Sequence, residues 1–172
     1  RSSCVTQGLA LFRAGQIPLD HLIYDEGYFR YGVIPGSLDI EEQFNKIGSF
    51  IVTFNCKPFK YSFEGLQEIT IESCGSVCKP EAFTAKSVIT LKGSGNFSLT
   101  LQNSGYNKTW NFKGIKDGVL CDSEQMNFYY DTTLLNDKVT GNGFPELRPG
   151  ETVLTVSGGV AEIKVTTRWR RL

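Results

Sequence analysis

A single histidine, His21, would have to supply the imidazole of any Ser-His-Asp or Cys-His device in this chain of 172 residues. Such devices need a nucleophile within reach of the histidine that deprotonates it. His21 ends the loop-like segment 17–21 (Ile-Pro-Leu-Asp-His), and no nucleophile motif is nearby. The residue types therefore favour a surface histidine over a hydrolase site.

Two pairs of carboxylates are the other candidates for acid–base chemistry. A glycosidase needs two carboxyl groups on either side of the bond that it breaks. Glu41 and Glu42 are adjacent, so on a strand they point to opposite faces. Asp122 and Glu124 are spaced to share a face, as many solvated pairs are. We therefore expect no enzymatic activity.

The cysteines do not form a metal-binding pattern. There are five of them: Cys4, Cys56, Cys74, Cys78 and Cys121. The odd count leaves at least one thiol free, which favours synthesis in a reducing cytosol. Either a local disulfide or two free thiols fits Cys74 and Cys78. No second Cys or His pair at zinc spacing accompanies them, and no phosphate-binding loop is present, so we expect no metal and no cofactor.

Aromatic side chains are the remaining candidates for ligand binding, because a sugar can stack on an exposed ring. The candidates for sugar stacking are Tyr106, Trp110 and Tyr129. Trp110 and its neighbours fall at alternating strand positions, so the core is the favoured interpretation.

Charge and hydropathy exclude two classes of partner. Eighteen basic and eighteen acidic residues cancel, so the chain lacks the electrostatic footprint of a DNA-coating protein. No apolar stretch is long enough to span a bilayer. We expect neither sequence-specific nucleic-acid binding nor membrane insertion.

Almost the whole chain has the pattern of strands and turns. The one helix candidate is the segment 5–14, where apolar residues recur at helical spacing. The clearest strand of the first half begins after Gly48 and is followed by Pro58. Its alternating apolar side chains are predicted to belong to a core: Phe50, Val52 and Phe54.

The second half is predicted to consist of short strands joined by hairpins. A Gly-Ser-Gly turn at 92–96 would join strands 88–91 and 97–101, with Phe97 and Leu99 in the core. A further turn at 103–107 would lead to the strand of Trp110. Regular turn signals over about a hundred residues are typical of a β-sandwich.

A last hairpin is predicted to close the chain. Strands 152–156 and 160–169 flank a Ser-Gly-Gly turn at 157–159. Alternation places Arg168 and Arg170 on the outer face, either solvated or paired with acids. The opposite, apolar face is predicted to lie in the core and holds Ile163, Val165 and Trp169.

A small-residue segment with two breakers, 72–80, separates the two halves. We place the domain boundary there. The mainly β chain would then consist of a first β domain with a short helix, 1–73, and a β-sandwich, 74–172.

Four short motifs lie in order along nearly the whole chain. They are 50–61 (FIVTFNCKPFKY), 120–124 (LCDSE), 144–151 (FPELRPGE) and 168–170 (RWR). In this order they resemble the signature of the distal tail proteins of long-tailed, siphovirus-type bacteriophages and prophages. Glu151-Thr152 replaces the family's usual Asn-containing step. The family's first domain begins upstream of Arg1, so the resemblance implies an N-terminally truncated member.

The resemblance implies a structural protein of the virion tail tip or baseplate, made in the cytoplasm of the bacterial host. Residues 1–73 would be the remainder of a belt domain that forms a hexameric ring in the full-length protein. Residues 74–172 would be a galectin-like β-sandwich. The implied partners are further copies of the chain, the tail-tube protein, the tape-measure protein and a tail-associated or receptor-binding protein, around a channel for DNA. A carbohydrate-binding sandwich that contacts the host cell wall is the alternative.

Overall fold

The computed structural model describes residues 26–33 and 55–172 and the backbone of residues 17–19. The chain divides into two compact units, Arg1–Lys60 and Tyr61–Leu172. Several sequence predictions lie outside the described residues: the helix at 5–14, Cys4, His21, Glu41, Glu42, and the core residues Phe50, Val52 and Phe54.

Short strands make up the described part of the first unit. β1 (Ile17–Leu19) pairs antiparallel with β2 (Tyr28–Val33), and β3 (Asn55–Ser62), which continues past the unit boundary, lies next to β2 in the sheet. Phe29 of β2 is buried, and the guanidinium of Arg30 donates to the carbonyl of Pro58 at 3.0 Å.

Two long strands organise the second unit. β6 (Val88–Asn103) and β12 (Gly150–Thr166) pair antiparallel along nearly their whole length. Their register shifts around Gly158 and Val160, opposite residues 93–97 of β6. A Cβ on Gly93 would collide with the carbonyl oxygen of Gly159, so only glycine allows the two backbones to pass this closely.

Both hairpins predicted around these glycines are therefore wrong. Residues 92–96 and 157–159 lie within continuous strands, where they form one shared irregularity instead of two turns. Glycine-rich sequence suits a turn and a bulge equally well, and here the pairing of β6 with β12 decides between them.

The shared irregularity splits the sheet into two layers. The first layer holds β11 (Val139–Thr140), β7 (Tyr106–Ile115), the second half of β6, the first half of β12, and β5 (Cys74–Lys79). The second layer holds β10 (Thr133–Leu134), β9 (Asn127–Tyr130), β8 (Gly118–Asp122), the first half of β6, the second half of β12, and β4 (Glu68–Ile71). Two short 3-10 helices, Glu64–Leu66 and Asn136–Lys138, lie between strands.

One hydrophobic core joins the two layers. Phe97 and Phe112 of the first layer stack at 5.0 Å, and Phe112 meets Phe128 of the second layer edge-on at 6.0 Å. Five of the residues that the sequence placed in the core are buried there: Phe97, Leu99, Trp110, Ile163 and Val165. Trp169 is only partly buried and packs against this cluster. The antiparallel, mainly β sandwich confirms the predicted fold class.

The division of the chain lies earlier than the sequence suggested. Residues 61–73 belong to the second unit by contact, because Ile71 of β4 pairs with Ile163 of β12. The segment 72–80, predicted as a boundary, contributes strand β5 to the same sheet.

Cys74 and Cys78 lie on this one strand, four residues apart. An extended strand separates such residues by about 13 Å, too far for a disulfide. Both thiols are free and exposed.

Candidate functional site

β8 ends at Asp122, whose side chain closes the turn that follows. Its Oδ1 accepts the backbone N–H groups of Glu124 at 2.9 Å and Gln125 at 3.1 Å. Aspartate favours such turns because its short side chain reaches the amides that follow it. Asp122 is only 2% exposed, and a buried carboxylate is stable only if it is hydrogen-bonded and paired with a positive charge.

Arg168 supplies that charge through a two-pronged contact. Its Nη1 and Nη2 lie 2.9 and 3.3 Å from Oδ1 and Oδ2 of Asp122, and Nη1 lies 3.6 Å from Oε2 of Glu124. This bidentate geometry fixes the orientation of the guanidinium as well as supplying its charge. The sequence left Arg168 either solvated or paired with acids, and in the structure it is paired with acids.

The predicted strand alternation does not extend to Arg168. β12 ends at Thr166, and Arg168 has a left-handed φ of 50°. Its N–H donates to the carbonyl of Gly65 at 2.7 Å. A Cβ on Gly65 would lie 2.6 Å from the amide nitrogen of Trp169, so a side chain at this position would displace the chain end.

Ser123 connects this arrangement to the proline-containing motif. Its hydroxyl donates to the carbonyl of Pro145, and its N–H donates to the carbonyl of Ser87 at 3.2 Å. Nearby, Phe144 stacks on Phe128 at 4.9 Å. The motifs 120–124, 144–151 and 168–170 therefore meet in space. We call the set Gly65, Asp122, Ser123, Pro145 and Arg168 the motif junction.

Arg170 and Lys79 lie in the same part of the second unit. Arg170, predicted on an outer face, begins β13 (Arg170–Arg171), is half-buried, and donates from Nε to the carbonyl of Thr84 at 2.9 Å. Lys79 is 2% exposed and donates from Nζ to the carbonyl of Glu81 at 2.9 Å. Burial lowers the pKa of Lys79 to about 8, with Arg170 acting in the same direction and Glu81 against it.

The candidate sugar-stacking residues do not form an exposed platform. Trp110 is 0% exposed and donates from Nε1 to the carbonyl of Gly143 at 2.8 Å. Tyr106 is 5% exposed, and the guanidinium carbon of Arg148 lies 4.4 Å from its ring centre. Tyr129 is half-buried on β9. The first two rings are thus covered by protein.

The described residues offer little for catalysis. Arg168 contacts both Asp122 and Glu124, so both carboxylates of this pair belong to one ion-pair cluster. Burial raises the pKa of the Cys121 thiol, which disfavours the reactive thiolate. Within the described ranges, no three His, Cys, Asp or Glu side chains are grouped to hold a metal, and no helix is long and apolar enough to cross a membrane.

An open groove of 420 Å³ lies on the outer face of the first layer, and its lining includes Phe97 and Phe112 beside polar residues. Its floor is a row of four paired residues, one from each of β11, β7, β6 and β12: Thr140, Asn111, Ser98 and Ser157. Alternation could place each residue on an outer face. Only the register between the strands could bring them together.

No protein-family model matches the chain, and no curated protein sequence matches it either. Among solved structures, the chain is similar to the SPP1 Dit (gp 19.1) protein, described as a paradigm of the hub adsorption apparatus in phages that infect Gram-positive bacteria. The TM-score is 0.59 at 14% sequence identity, over 94% of this chain and 67% of the Dit chain. The two proteins share a fold.

Proposed function

We propose that this chain is a structural, non-enzymatic component of a phage tail tip. The observation that carries the proposal is the fold similarity to a phage hub protein, which spans 94% of the chain. The resemblance of the four ordered motifs to distal tail proteins supports it independently, because it rests on the sequence and not on the fold. The motif junction gives three of them a common structural purpose.

The finer proposal is a ring-shaped hub. Full-length copies would assemble as a hexamer that joins the tail tube and the tape-measure protein to a tail-associated or receptor-binding protein. DNA would pass through the centre. The balanced charge of the chain, eighteen basic against eighteen acidic residues, supports such a lining, since DNA passes a neutral wall without being retained.

The two parts of the chain have separate tasks in this proposal. The first part, to about residue 73, is the remainder of the ring-forming belt domain, and the rest is the galectin-like sandwich. Residues 61–73 contact the second unit, so the boundary between the two compact units lies at residue 60. We therefore assign ring contacts to the segment before residue 61.

The test is assembly of the full-length protein from its natural start. Light scattering and electron microscopy are expected to show a closed ring, and pull-downs are expected to recover the tube or tape-measure protein. The matched control is the fragment 61–172, which lacks the proposed ring segment and should remain monomeric if it folds, as circular dichroism would check. A full-length protein that is monomeric at high concentration and binds neither partner contradicts the proposal.

A further inference from the structure

The groove on the first layer is built on a straight row of short polar side chains. Thr140 pairs with Asn111, Asn111 with Ser98, and Ser98 with Ser157. Directly paired residues of antiparallel strands point to the same face, so these four side chains project together. Neighbouring strands are about 4.8 Å apart, which gives the row a length of about 14 Å.

The lining is rich in hydrogen-bonding groups that are available to a ligand. Asn111 and Thr140 are exposed, and neither side chain makes a hydrogen bond within the described part of the chain. Asn96 uses its side-chain oxygen to accept the N–H of Gly114 at 2.9 Å, which holds the amide while leaving its nitrogen available. The hydroxyls of Ser98 and Ser157 bond to each other at 2.7 Å and are fixed in place.

Charge is nearly absent from the groove. Lys113 is the one charged residue of the lining, and no carboxylate is present. A neighbouring row continues the neutral face with Thr100 and Thr109, whose hydroxyls lie 2.9 Å apart. One lysine is too little for a polyanion, whose binding requires several cations.

The outer face of the second layer has a different composition. Leu120, Tyr129 and Leu134 form a paired row there, and Leu134 is 62% exposed. Apolar and aromatic side chains of this kind are typical of the central part of protein interfaces. The groove of the first layer has no such exposed side chain, so a protein partner fits it less well than a ligand that carries many hydroxyl groups.

We propose that this groove binds a neutral saccharide, with Asn111 as the central hydrogen-bonding residue. Hydroxyl and amide side chains both donate and accept, which matches the hydroxyls of a sugar. The row is long enough to contact more than one ring of a glycan chain. The inference does not depend on the proposed tail-tip function, and it uses none of the aromatic residues that the sequence suggested for sugar stacking.

The test is a ¹⁵N-NMR titration of the whole chain with maltotriose, lactose and tri-N-acetylchitotriose. At least one probe is expected to shift amides at 96–98, 111–113, 140 and 157, with saturation at about 10 mM for a Kd of about 1 mM. Asn111→Ala should weaken that binding about fivefold, the effect of one lost hydrogen bond. Asn107→Ala is the matched control, because Asn107 lies exposed on the same face of β7 outside the groove. It should bind like the native chain.

Four results would overturn the proposal. One is the absence of shifts with all three probes, and another is a set of shifts that map away from the groove or survive Asn111→Ala unchanged. The third is binding of poly(glycerol phosphate) that Lys113→Gln abolishes while no neutral probe binds. A protein partner whose capture is lost in Asn111→Ala, without any saccharide binding, would also assign the groove to a protein interface.

Discussion

The motif junction and the groove of the first layer both contain polar side chains, but in opposite environments. Asp122 and Ser123 are buried at the junction, and each is bonded to a distant part of the chain. Asn111 and Thr140 are exposed in the groove and have no side-chain partner among the described residues. Buried polarity of the first kind fixes the fold, whereas exposed polarity of the second kind is available to a ligand.

This difference changes how the motifs are interpreted. A pair such as Asp122 and Glu124 or a basic end such as Arg168 to Arg171 suggests chemistry in a sequence. The structure uses Asp122 and Arg168 to join the turn after β8 to the end of the chain, and Arg168 also bonds to Gly65. The groove, by contrast, has no motif, because serine, threonine and asparagine residues on four strands form no pattern along the chain.

The largest effect is expected from Asp122→Ala, which removes the counter-charge of Arg168. Breaking a buried ion pair leaves the other charge unpaired and costs about 3–5 kcal/mol. We expect a value of about 3 kcal/mol in urea unfolding, since the Arg168 side chain keeps 19% of its exposure.

Glu124→Ala is the matched control, because Glu124 is the more distant acid at 3.6 Å and is one-third exposed. It should cost less than about 1 kcal/mol. Equal costs for the two variants would mean that Asp122 is not the anchor of the junction.

Replacement of Lys79 tests whether a buried charge near the motif junction makes the free energy of unfolding depend on pH. Its pKa of about 8 in the fold is below the ordinary lysine value, so between about pH 8 and pH 10.4 the unfolded chain holds more protons than the native one. Native stability therefore gains a contribution as pH rises through this window, of up to about 3 kcal/mol.

The measurement for Lys79 is the difference in unfolding free energy between the native chain and Lys79→Met across that window. Buried tyrosines such as Tyr61, whose pKa is raised chiefly by burial, give stability the opposite pH dependence. Both proteins contain these tyrosines, so their contribution cancels in the difference. Lys79→Met should be the more stable protein at pH 7 and should lose its advantage by pH 10. A constant difference would show that Lys79 is as solvated in the fold as in the unfolded chain.

Ser123→Ala and Ser157→Ala compare the same substitution in the two regions. Ser123→Ala leaves the carbonyl of buried Pro145 without its partner, and an unsatisfied buried group costs about 1–3 kcal/mol. Ser157 is exposed, and among the described residues its hydroxyl bonds only to that of Ser98, so its replacement should change stability by less than about 0.5 kcal/mol. Thermal unfolding of both variants checks the contrast, which disappears if the two midpoints fall equally.

Local signals allowed part of the fold to be predicted. The turn at 103–107 is confirmed because Asn103 pairs with Tyr106 across Ser104-Gly105, a connection that needs only neighbouring residues. The mainly β class follows from such local features repeated along the chain.

Long-range pairing decided what the sequence could not. The glycines at 93–95 and 158–159 suggest turns until β6 and β12 are laid side by side, and then they form one irregularity. Arg168 pairs with Asp122 at a point where the strand has ended at Thr166 and the backbone takes a positive φ, which alternation cannot foresee. The groove needed the register of four strands at once.

The smallest effect on the free energy of unfolding is expected from Asn111→Ala, because the groove does not hold the fold together. Asn111 bonds to no described side chain and stands exposed, so its removal should alter unfolding free energy by no more than about 0.5 kcal/mol. Asn107→Ala should match it in urea denaturation. A loss above about 1 kcal/mol in Asn111→Ala alone would make Asn111 a structural residue like Asp122. An unchanged stability, together with weakened saccharide binding, would separate the region that holds the sandwich together from the region that meets a ligand.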